Sequence, residues 1–445
     1  MPVKHRNWII SAAILGLLAA CAEKEVILPG KREALRDVLS DTAVTEAEAA
    51  ASNANQSLPI RLGSQQRNDS WVNSPVSPRH RTDHPALGTT LSLAWSATIG
   101  EGDSRRNRIT ADPVVAQGRV FTLDALATVA ATSTGGATIW SRDLTPPRDN
   151  AGEVSGGGLA YGDGKLFVTT GTGQLTALDP ATGQEIWVQD LDASGTGTPT
   201  YNDGLVYLVS GDSTAWAIEA DSGRVRWQLD SLTDINNVAG GPAPAISDRL
   251  VIFGYGSGEV QGAFLQGGLS LWNASVVGQR EGRAIAQVGD LTGDPMISGN
   301  KVYAANFTGR LVALNKDKGQ RIWTAREGAV GMAWPAGDSL FTISDLGELV
   351  RLNANDGTRI WAVELPRYVK ERPRKRSRVF AHHGPIVAGG RVIVASDDGL
   401  LRQYNPTDGA LIGTVQIPGG ATTNPIVVNG TLYVVSQDGK LLAFR

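Results

Sequence analysis

The chain has 445 residues, of which 41% are hydrophobic and 19% are charged, enough apolar material for a large core. Its formal net charge of -3 excludes the basic field over the whole chain that favours nucleic-acid binding. The single Cys excludes an intramolecular disulfide and a Cys-based zinc site. Because 53 Gly and 21 Pro recur at turn-like spacing, the composition favours many short strands over long helices.

The first residues have the pattern of an export signal. A basic start, residues 4–6, precedes an apolar stretch at 8–17, which is too short to span a bilayer as a mature helix. Leu18-Ala19-Ala20-Cys21 then resembles a bacterial lipobox, in which the Cys thiol receives diacylglycerol and the chain is cut before it. We predict a lipoprotein signal peptide at 1–20 and lipidation of Cys21; the alternative is an ordinary signal peptide with a chance Cys. Ala22 favours sorting to the periplasmic face of the outer membrane.

Residues 21–89 have the composition of a lipidated tether. The Ala- and Glu-rich stretch 31–51 is compatible with a short helix. Residues 52–84 are rich in Asn, Ser, Gln, Arg and Pro, which predicts a largely extended segment. Trp71 is the exception in this polar run, and we expect it to dock on the folded domain.

From residue 90 to 445 one pattern of four short strands and Gly turns recurs, with a Trp near the end of each copy. Repeats of about 40–50 residues with four strands each are typical of β-propeller blades. We interpret each Trp as core filling the wedge between blades rather than as a ligand contact. The marker residues are Trp95, Trp140, Trp187, Trp227, Trp272, Trp323, Trp361 and, in the eighth place, Ile412.

The two ends of the repeat region complement each other. The last copy, from Pro425 to Phe444, has only three strands, whereas Leu93-Ala94-Trp95-Ser96 is a strand without three partners before it. Pairing the two would close the ring and remove its exposed edges. The sequence therefore predicts an all-β fold, an eight-bladed propeller of four antiparallel strands per blade, closed by the N-terminal strand.

Strand parity places the long connections, at about 145–156, 230–240, 277–293 and 366–381, on one face. Loops on a rigid scaffold commonly carry function, so this face is the predicted binding surface. Two of these loops contain Asp234 and Asp290, for which turn capping is the alternative role.

Residues 367–378 form a basic cluster with one acid, Glu371. The alternatives are a solvated loop, or contact with anionic lipid headgroups or an acidic partner through Arg372, Arg374, Lys375 and Arg376. The adjacent His382 and His383 would point to opposite faces of a strand, so we predict structural histidines and no metal site.

The repeat ends resemble those of a known superfamily. Ala177-Leu178-Asp179 followed by Thr182-Gly183-Gln184-Glu185-Ile186-Trp187 resembles the pyrroloquinoline-quinone-type propeller repeat. Together with the lipobox, residues 91–445 resemble the BamB family, lipoproteins of the outer-membrane β-barrel assembly machinery. The resemblance implies a non-enzymatic scaffold without cofactors that binds the periplasmic POTRA domains of BamA, works with other assembly subunits, contacts nascent outer-membrane proteins and does not bind nucleic acid.

The resemblance also implies which residues bind BamA. An acidic family motif before the first strand of a blade corresponds to Asp290, with Leu291 beside it and Thr292 at the place of the family's second acid. A neighbouring family loop, aliphatic and Arg-bearing, corresponds loosely to Asp234, Ile235, Asn236, Asn237 and Val238, which include no Arg. The alternatives are a quinone-dependent dehydrogenase-like propeller, which would need a central Ca²⁺ site and an Asp base, and another periplasmic protein-binding propeller.

Overall fold

The structure is a computed structural model that describes residues 54–79, 84–147, 155–194, 197–231, 241–276, 278 and 291–445. Within these ranges the chain forms eight four-stranded antiparallel sheets arranged as an eight-bladed β-propeller, which confirms the predicted fold. The predicted signal peptide, Cys21 and the stretch 31–51 lie outside the described residues. No helix in the described ranges is long and apolar enough to cross a membrane.

Each blade runs outward from the ring centre through strands called A, B, C and D. Blades 1 to 4 consist of β2 (Val114–Ala116), β3 (Arg119–Leu123), β4 (Thr128–Ser133) and β5 (Thr138–Asp143); β6 (Gly157–Gly162), β7 (Lys165–Thr170), β8 (Gln174–Leu178) and β9 (Glu185–Asp190); β10 (Thr200–Asn202), β11 (Leu205–Val209), β12 (Thr214–Glu219) and β13 (Val225–Asp230); β14 (Ala245–Ile246), β15 (Leu250–Gly254), β16 (Glu259–Phe264) and β17 (Ser270–Ser275).

Blades 5 to 8 repeat this arrangement. They consist of β18 (Met296–Ser298), β19 (Lys301–Asn306), β20 (Arg310–Asn315) and β21 (Arg321–Ala325); β22 (Trp334–Ala336), β23 (Ser339–Ile343), β24 (Glu348–Asn353) and β25 (Arg359–Glu364); β26 (His382–Ala388), β27 (Arg391–Ser396), β28 (Leu400–Tyr404) and β29 (Leu411–Gln416); β30 (Ile426–Val428), β31 (Thr431–Ser436) and β32 (Lys440–Phe444), completed by β1 (Leu93–Thr98).

The ring closes through the predicted pairing of its two ends. Strand β1 lies antiparallel to β32, with Trp95 opposite Ala443 and Thr98 opposite Lys440. The first strand is thus strand D of blade 8, and the last blade has its full complement of four. Because an open blade edge would leave unpaired backbone groups, this closure protects the sheet from pairing with other chains.

The repeated Trp residues join neighbouring blades, as predicted, but the eighth marker was wrong: Ile412 is 56% exposed, and Gly413 stands at the Trp position of that blade. The indole Nε1 of Trp187 donates to Ala220 O at 3.0 Å in the next blade, and Gly223 of that blade's C–D turn lies over the same ring. A Cβ at Gly223 would come within 2.8 Å of the indole, so this position requires Gly. Equivalent indole bonds of 3.0–3.2 Å are made by Trp140, Trp227, Trp272, Trp323 and Trp361.

The antiparallel order divides the connections between two faces. The A–B and C–D turns lie on one face, here called the turn face, and the B–C turns and D–A crossings lie on the other, the loop face. A–B turns are tight: Asp203 and Gly204 have φ of 46° and 78°, the left-handed values typical of a two-residue type I′ hairpin. The long crossings therefore start and end on the loop face, as predicted.

Candidate functional site

The described residues between 54 and 91, here called the N-terminal strap, lie against the propeller. Gln56 N donates to Ile360 O at 2.8 Å, and at the other end Ser92 N donates to Arg445 O at 2.7 Å. The strap is bound along its length and belongs to the same compact unit as the blades. The boundary predicted at residue 90 therefore separates sequence compositions, while the packing continues across it.

A buried arginine holds the beginning of the strap. Arg351, on β24, has only 1% of its side chain exposed and donates from Nη1 to Leu58 O at 2.6 Å and from Nη2 to Pro59 O at 3.2 Å. The same guanidinium also reaches the carbonyls of Pro406 and Thr407 in the next blade. Burial lowers the pKa of Arg351, but the carbonyls that surround it satisfy its donors. Arg351 thus joins the strap to blades 6 and 7.

Residues 71–78, here called the channel turn, fill the centre of the ring. Trp71 is 2% exposed, exchanges two 2.8 Å backbone hydrogen bonds with Val115 of blade 1, and stacks on Trp334 of blade 6 with ring centroids 6.2 Å apart. On the other side, Pro78 O accepts from Ile246 N of blade 4 at 2.9 Å. The docking expected for Trp71 is therefore confirmed, and the turn it belongs to bridges opposite sides of the ring.

Two carboxyl groups share a hydroxyl at the tip of the channel turn. Ser74 Oγ lies 3.0 Å from Asp112 Oδ2 and 3.1 Å from Asp294 Oδ2, although a hydroxyl has one proton to donate. Asp112 also accepts from Asn424 N at 2.8 Å and from Asn424 Nδ2 at 2.7 Å, bonds that favour its ionised form. Asp294 accepts one further bond, from Ala243 N at 2.6 Å.

The hydrogen bonds indicate which carboxyl carries a proton. Burial raises the pKa of Asp294 to about 7, and the charge of Asp112 adds to the shift. Burial also raises the pKa of Asp112, while its bonds to Asn424 oppose that rise. A protonated Asp294 donates to Ser74 Oγ, which leaves the serine proton for Asp112. The two carboxyl groups therefore hold the channel turn inside the ring through two hydrogen bonds, one donated by the protonated Asp294 and one donated by Ser74 to Asp112.

The described residues contain no group of three or more His, Cys, Asp or Glu placed to hold a metal ion. His382, buried and 8% exposed, uses both ring nitrogens in structural contacts, 2.6 Å from Ser396 Oγ and 2.8 Å from Pro366 O. Burial lowers the pKa of His382 and, to about 4, that of His383, so both rings are neutral near pH 7. The structural role predicted for these histidines agrees with this arrangement.

The two loops predicted to bind BamA connect consecutive blades on the loop face. One leads from β13 to β14 and the other from β17 to β18, so their ends lie side by side. Asp234 to Val238 and Asp290 lie outside the described residues. Their partner-binding role stays a prediction.

Two residues at the end of the second loop have structural contacts. Leu291 is 3% exposed, forms an antiparallel bridge with Asn306, and packs in the core between blades 4 and 5. Thr292 Oγ1 donates to Ala329 O at 2.8 Å. In the isolated chain, Leu291 is therefore core rather than accessible surface.

The basic cluster is an ordered ribbon on the loop face. Its base is held by backbone bonds from Val369 N to Arg378 O at 3.1 Å and from Phe380 N to Arg367 O at 2.9 Å. A short 3-10 helix, Pro373–Lys375, turns the tip. All residues from 369 to 379 are exposed, so this loop presents its cations to solvent.

Comparison with known proteins assigns the fold and the family. The family model described as "Outer membrane protein assembly factor BamB" matches residues 125–363 and 347–445. The chain is 25% identical to the outer membrane protein assembly factor BamB of Shewanella oneidensis, over 78% of this chain and 87% of the relative. It is 22% identical to that of Salmonella typhimurium, over 83% and 91%.

Solved structures share the propeller. BamB from Moraxella catarrhalis superposes with a TM-score of 0.64 at 20% identity, covering 80% of this chain and 98% of that one. A quinohemoprotein alcohol dehydrogenase from Comamonas testosteroni superposes with a TM-score of 0.61 at 16% identity, covering 85% and 81%. Because identity is so low in both, these superpositions show a common fold alone.

Proposed function

Because the chain belongs to the family of outer membrane protein assembly factor BamB, we propose that it is a non-enzymatic scaffold of the outer-membrane assembly machinery, held to the periplasmic face of the outer membrane by a lipid on Cys21. The proposal includes docking on the periplasmic POTRA domains of BamA. Further assembly subunits and nascent barrel proteins complete the set of proposed partners.

The observation that carries the scaffold proposal is the occupied ring centre. Trp71 and Ser74 bring the chain's own backbone between the innermost strands, where a cofactor-dependent propeller would need an open central site. The two carboxyls there, Asp112 and Asp294, are engaged with Ser74, Asn424 and Ala243 N. This packing favours recognition by the loops over chemistry in the channel.

The proposed docking surface consists of Asp290 and the loop 234–238. Their crossings start and end on the loop face of blades 3, 4 and 5, and the rigid blades fix the ends of both. Ile235 and Val238 supply apolar contacts, and Asp290 supplies a charge for a cationic side chain of the POTRA domain. Such a charge within an apolar surround is typical of residues that dominate binding.

Reversing the charge tests this surface. Breaking a buried charge pair commonly costs about 2–5 kcal/mol, so Asp290→Arg should weaken binding by more than about tenfold. The measurement is titration of the propeller, residues 54–445, against the purified periplasmic part of BamA.

The matched control is Glu101→Arg. Glu101 is an exposed acid in the crossing from β1 to β2, on the same face but on the opposite side of the ring. It should leave the affinity unchanged, and the melting temperature of both variants should equal that of the wild type because the blades hold the fold. Equal affinities for wild type and Asp290→Arg would refute the docking role and leave Asp290 as a turn residue.

A further inference from the structure

The strap and the basic loop are both attached to β25 of blade 6. Asn55 pairs with the open edge of β25, the outer strand of this blade: its Nδ2 donates to Ala362 O and its Oδ1 accepts from Ala362 N, both at 2.9 Å. Strand β25 ends at Glu364 and leads directly into the basic loop, residues 367–378. The chain that comes from Cys21 therefore joins the propeller on the strand from which the basic loop extends.

The loop keeps its shape through contacts among its own residues. The guanidinium carbons of Arg367 and Arg376 lie 5.3 and 4.7 Å from the centroid of the Tyr368 ring, as in cation–π contacts. Arg376 Nε also donates to Glu371 O at 2.9 Å, and its Nη2 lies 3.8 Å from Glu371 Oε2. These two arginines have internal partners and stabilise the ribbon.

The remaining cations face outward. Lys370, Arg372, Arg374 and Lys375 are exposed and form no ion pair with any carboxylate in the described ranges. The positive charge of Arg378 interacts with the carboxyl group of Asp397. Burial raises the pKa of Asp397, and the charge of Arg378 partly lowers it again. Val369 and Val379, at 39% and 54% exposed, add apolar side chains to the same ribbon. The exposed part of the loop combines four unpaired cations with two aliphatic groups.

We propose that the rim of blade 6 faces the membrane and that the basic loop binds anionic lipid headgroups there. The inference rests on the proposed lipid at Cys21, because the first described part of the chain after Cys21 binds the propeller at this edge. A cation near an anionic leaflet contributes about 1 kcal/mol, or roughly fivefold in affinity, and the effect declines within a Debye length. Exposed valines beside cations are suited to the boundary between headgroups and acyl chains. A second contact of this kind would fix the orientation of a propeller whose lipid alone sets only its distance from the membrane.

The first experiment measures vesicle binding without the lipid. The chain from residue 21 onward, carrying Cys21→Ser, is sedimented with vesicles of phosphatidylcholine or of phosphatidylcholine mixed with phosphatidylglycerol. The triple variant Arg372→Ser/Arg374→Ser/Lys375→Ser should bind the anionic vesicles at least about tenfold more weakly, most clearly at low salt. The control Arg105→Ser/Arg106→Ser/Lys318→Ser removes the same charge from exposed positions elsewhere and should bind like the parent.

The second experiment reports the orientation. Because Cys21 is the chain's single cysteine, Ser377→Cys in the Cys21→Ser background can be labelled uniquely with a polarity-sensitive dye. The dye at residue 377 should move to shorter emission wavelength on anionic vesicles, and a dye at Ser222→Cys, on the turn face of blade 3, should not.

The outcomes separate this proposal from the scaffold function, because neither measurement involves BamA or a lipid on Cys21. Tenfold weaker binding of the loop variant, with the dye shift confined to residue 377, supports it. Equal binding of the triple variant and the parent overturns it, as does a parent that does not bind anionic vesicles. Equal dye shifts at residues 377 and 222 would contradict the orientation.

Discussion

The proton that Asp294 donates to Ser74 Oγ predicts that strap docking depends on pH. Burial raises the pKa of Asp294 to about 7, well above the value of roughly 3.9 for an exposed aspartate. The folded chain therefore binds a proton that the unfolded chain releases between these two pH values. Stability should fall as the pH rises through this range, because the unfolded state then binds fewer protons than the folded state.

The structure allows the size of this effect to be worked out. With a folded pKa of about 7 and an unfolded pKa of about 3.9, linkage predicts a loss of roughly 2–3 kcal/mol in the free energy of unfolding between pH 5 and pH 8. Since part of the Asp294 side chain stays accessible to solvent, we expect about 2 kcal/mol.

The substitution Asp294→Asn isolates this contribution. An Asn amide donates permanently to Ser74 Oγ and still accepts from Ala243 N, so it mimics the protonated acid. The variant should be about 2 kcal/mol more stable than the wild type at pH 8, and the difference should shrink towards pH 5. His382 and His383 contribute the opposite pH dependence, because their depressed pKa values lower the free energy of unfolding as the pH falls below about 6.5. This contribution is the same in both proteins, so it cancels when the free energies of unfolding of variant and wild type are subtracted at each pH.

The assay is denaturant unfolding of residues 54–445 at several pH values, together with proteolysis of the strap. Asp112→Asn is the opposite control, since it places an amide group where Asn424 donates two hydrogen bonds, and it should destabilise the fold at every pH. A constant difference in stability between wild type and Asp294→Asn from pH 5 to pH 8 would refute the protonation of Asp294 in the folded chain.

Two further changes test the strap and the anchor. Trp71→Ala removes a buried side chain between blades 1 and 6, so it should lower the free energy of unfolding by about 3–5 kcal/mol. If the strap detaches instead, the loss is smaller and the strap becomes sensitive to protease. Unchanged stability and unchanged protease resistance would contradict the docking of Trp71. Cys21→Ala should abolish incorporation of labelled fatty acid and release the protein from membranes, because buried acyl chains contribute about 0.8 kcal/mol of binding free energy per CH₂. Labelling equal to that of the wild type would exclude Cys21 as the lipid site.

The blades could be predicted because their signals are local and repeated. Trp187 is followed in the next copy by Trp227, and each fixes a strand that pairs with its immediate neighbour in sequence. The closure by β1 was predictable from counting, because a three-stranded last copy and an orphan first strand have one way to complete the ring.

The channel turn could not be predicted in the same way. Ser74 meets Asp294 across 220 positions of sequence, and no periodic pattern connects them. One local signal was available for the strap: Arg351 stands opposite Trp361, where the equivalent residues in the other Trp-bearing blades, such as Ala177 opposite Trp187, are small. A charged residue in place of a small core residue indicates a polar partner nearby, and here that partner is the strap backbone.

The family resemblance does not indicate which residues at the end of the second loop are exposed for binding. The family motif placed Leu291 and Thr292 beside Asp290, but these two side chains pack against the propeller itself. Sequence position alone does not distinguish a residue at the root of a loop from one at its tip, because strand bridges such as that between Leu291 and Asn306 decide where the loop begins.

The measurement that most directly tests the scaffold function is recovery of partners from the native envelope. The full-length protein, tagged at its C-terminus, is purified from detergent-solubilised membranes, and its partners are identified by mass spectrometry. BamA should be recovered with the wild type and with Glu101→Arg, and largely lost with Asp290→Arg. Envelopes in which the wild-type protein brings down no BamA would contradict its proposed place in the assembly machinery.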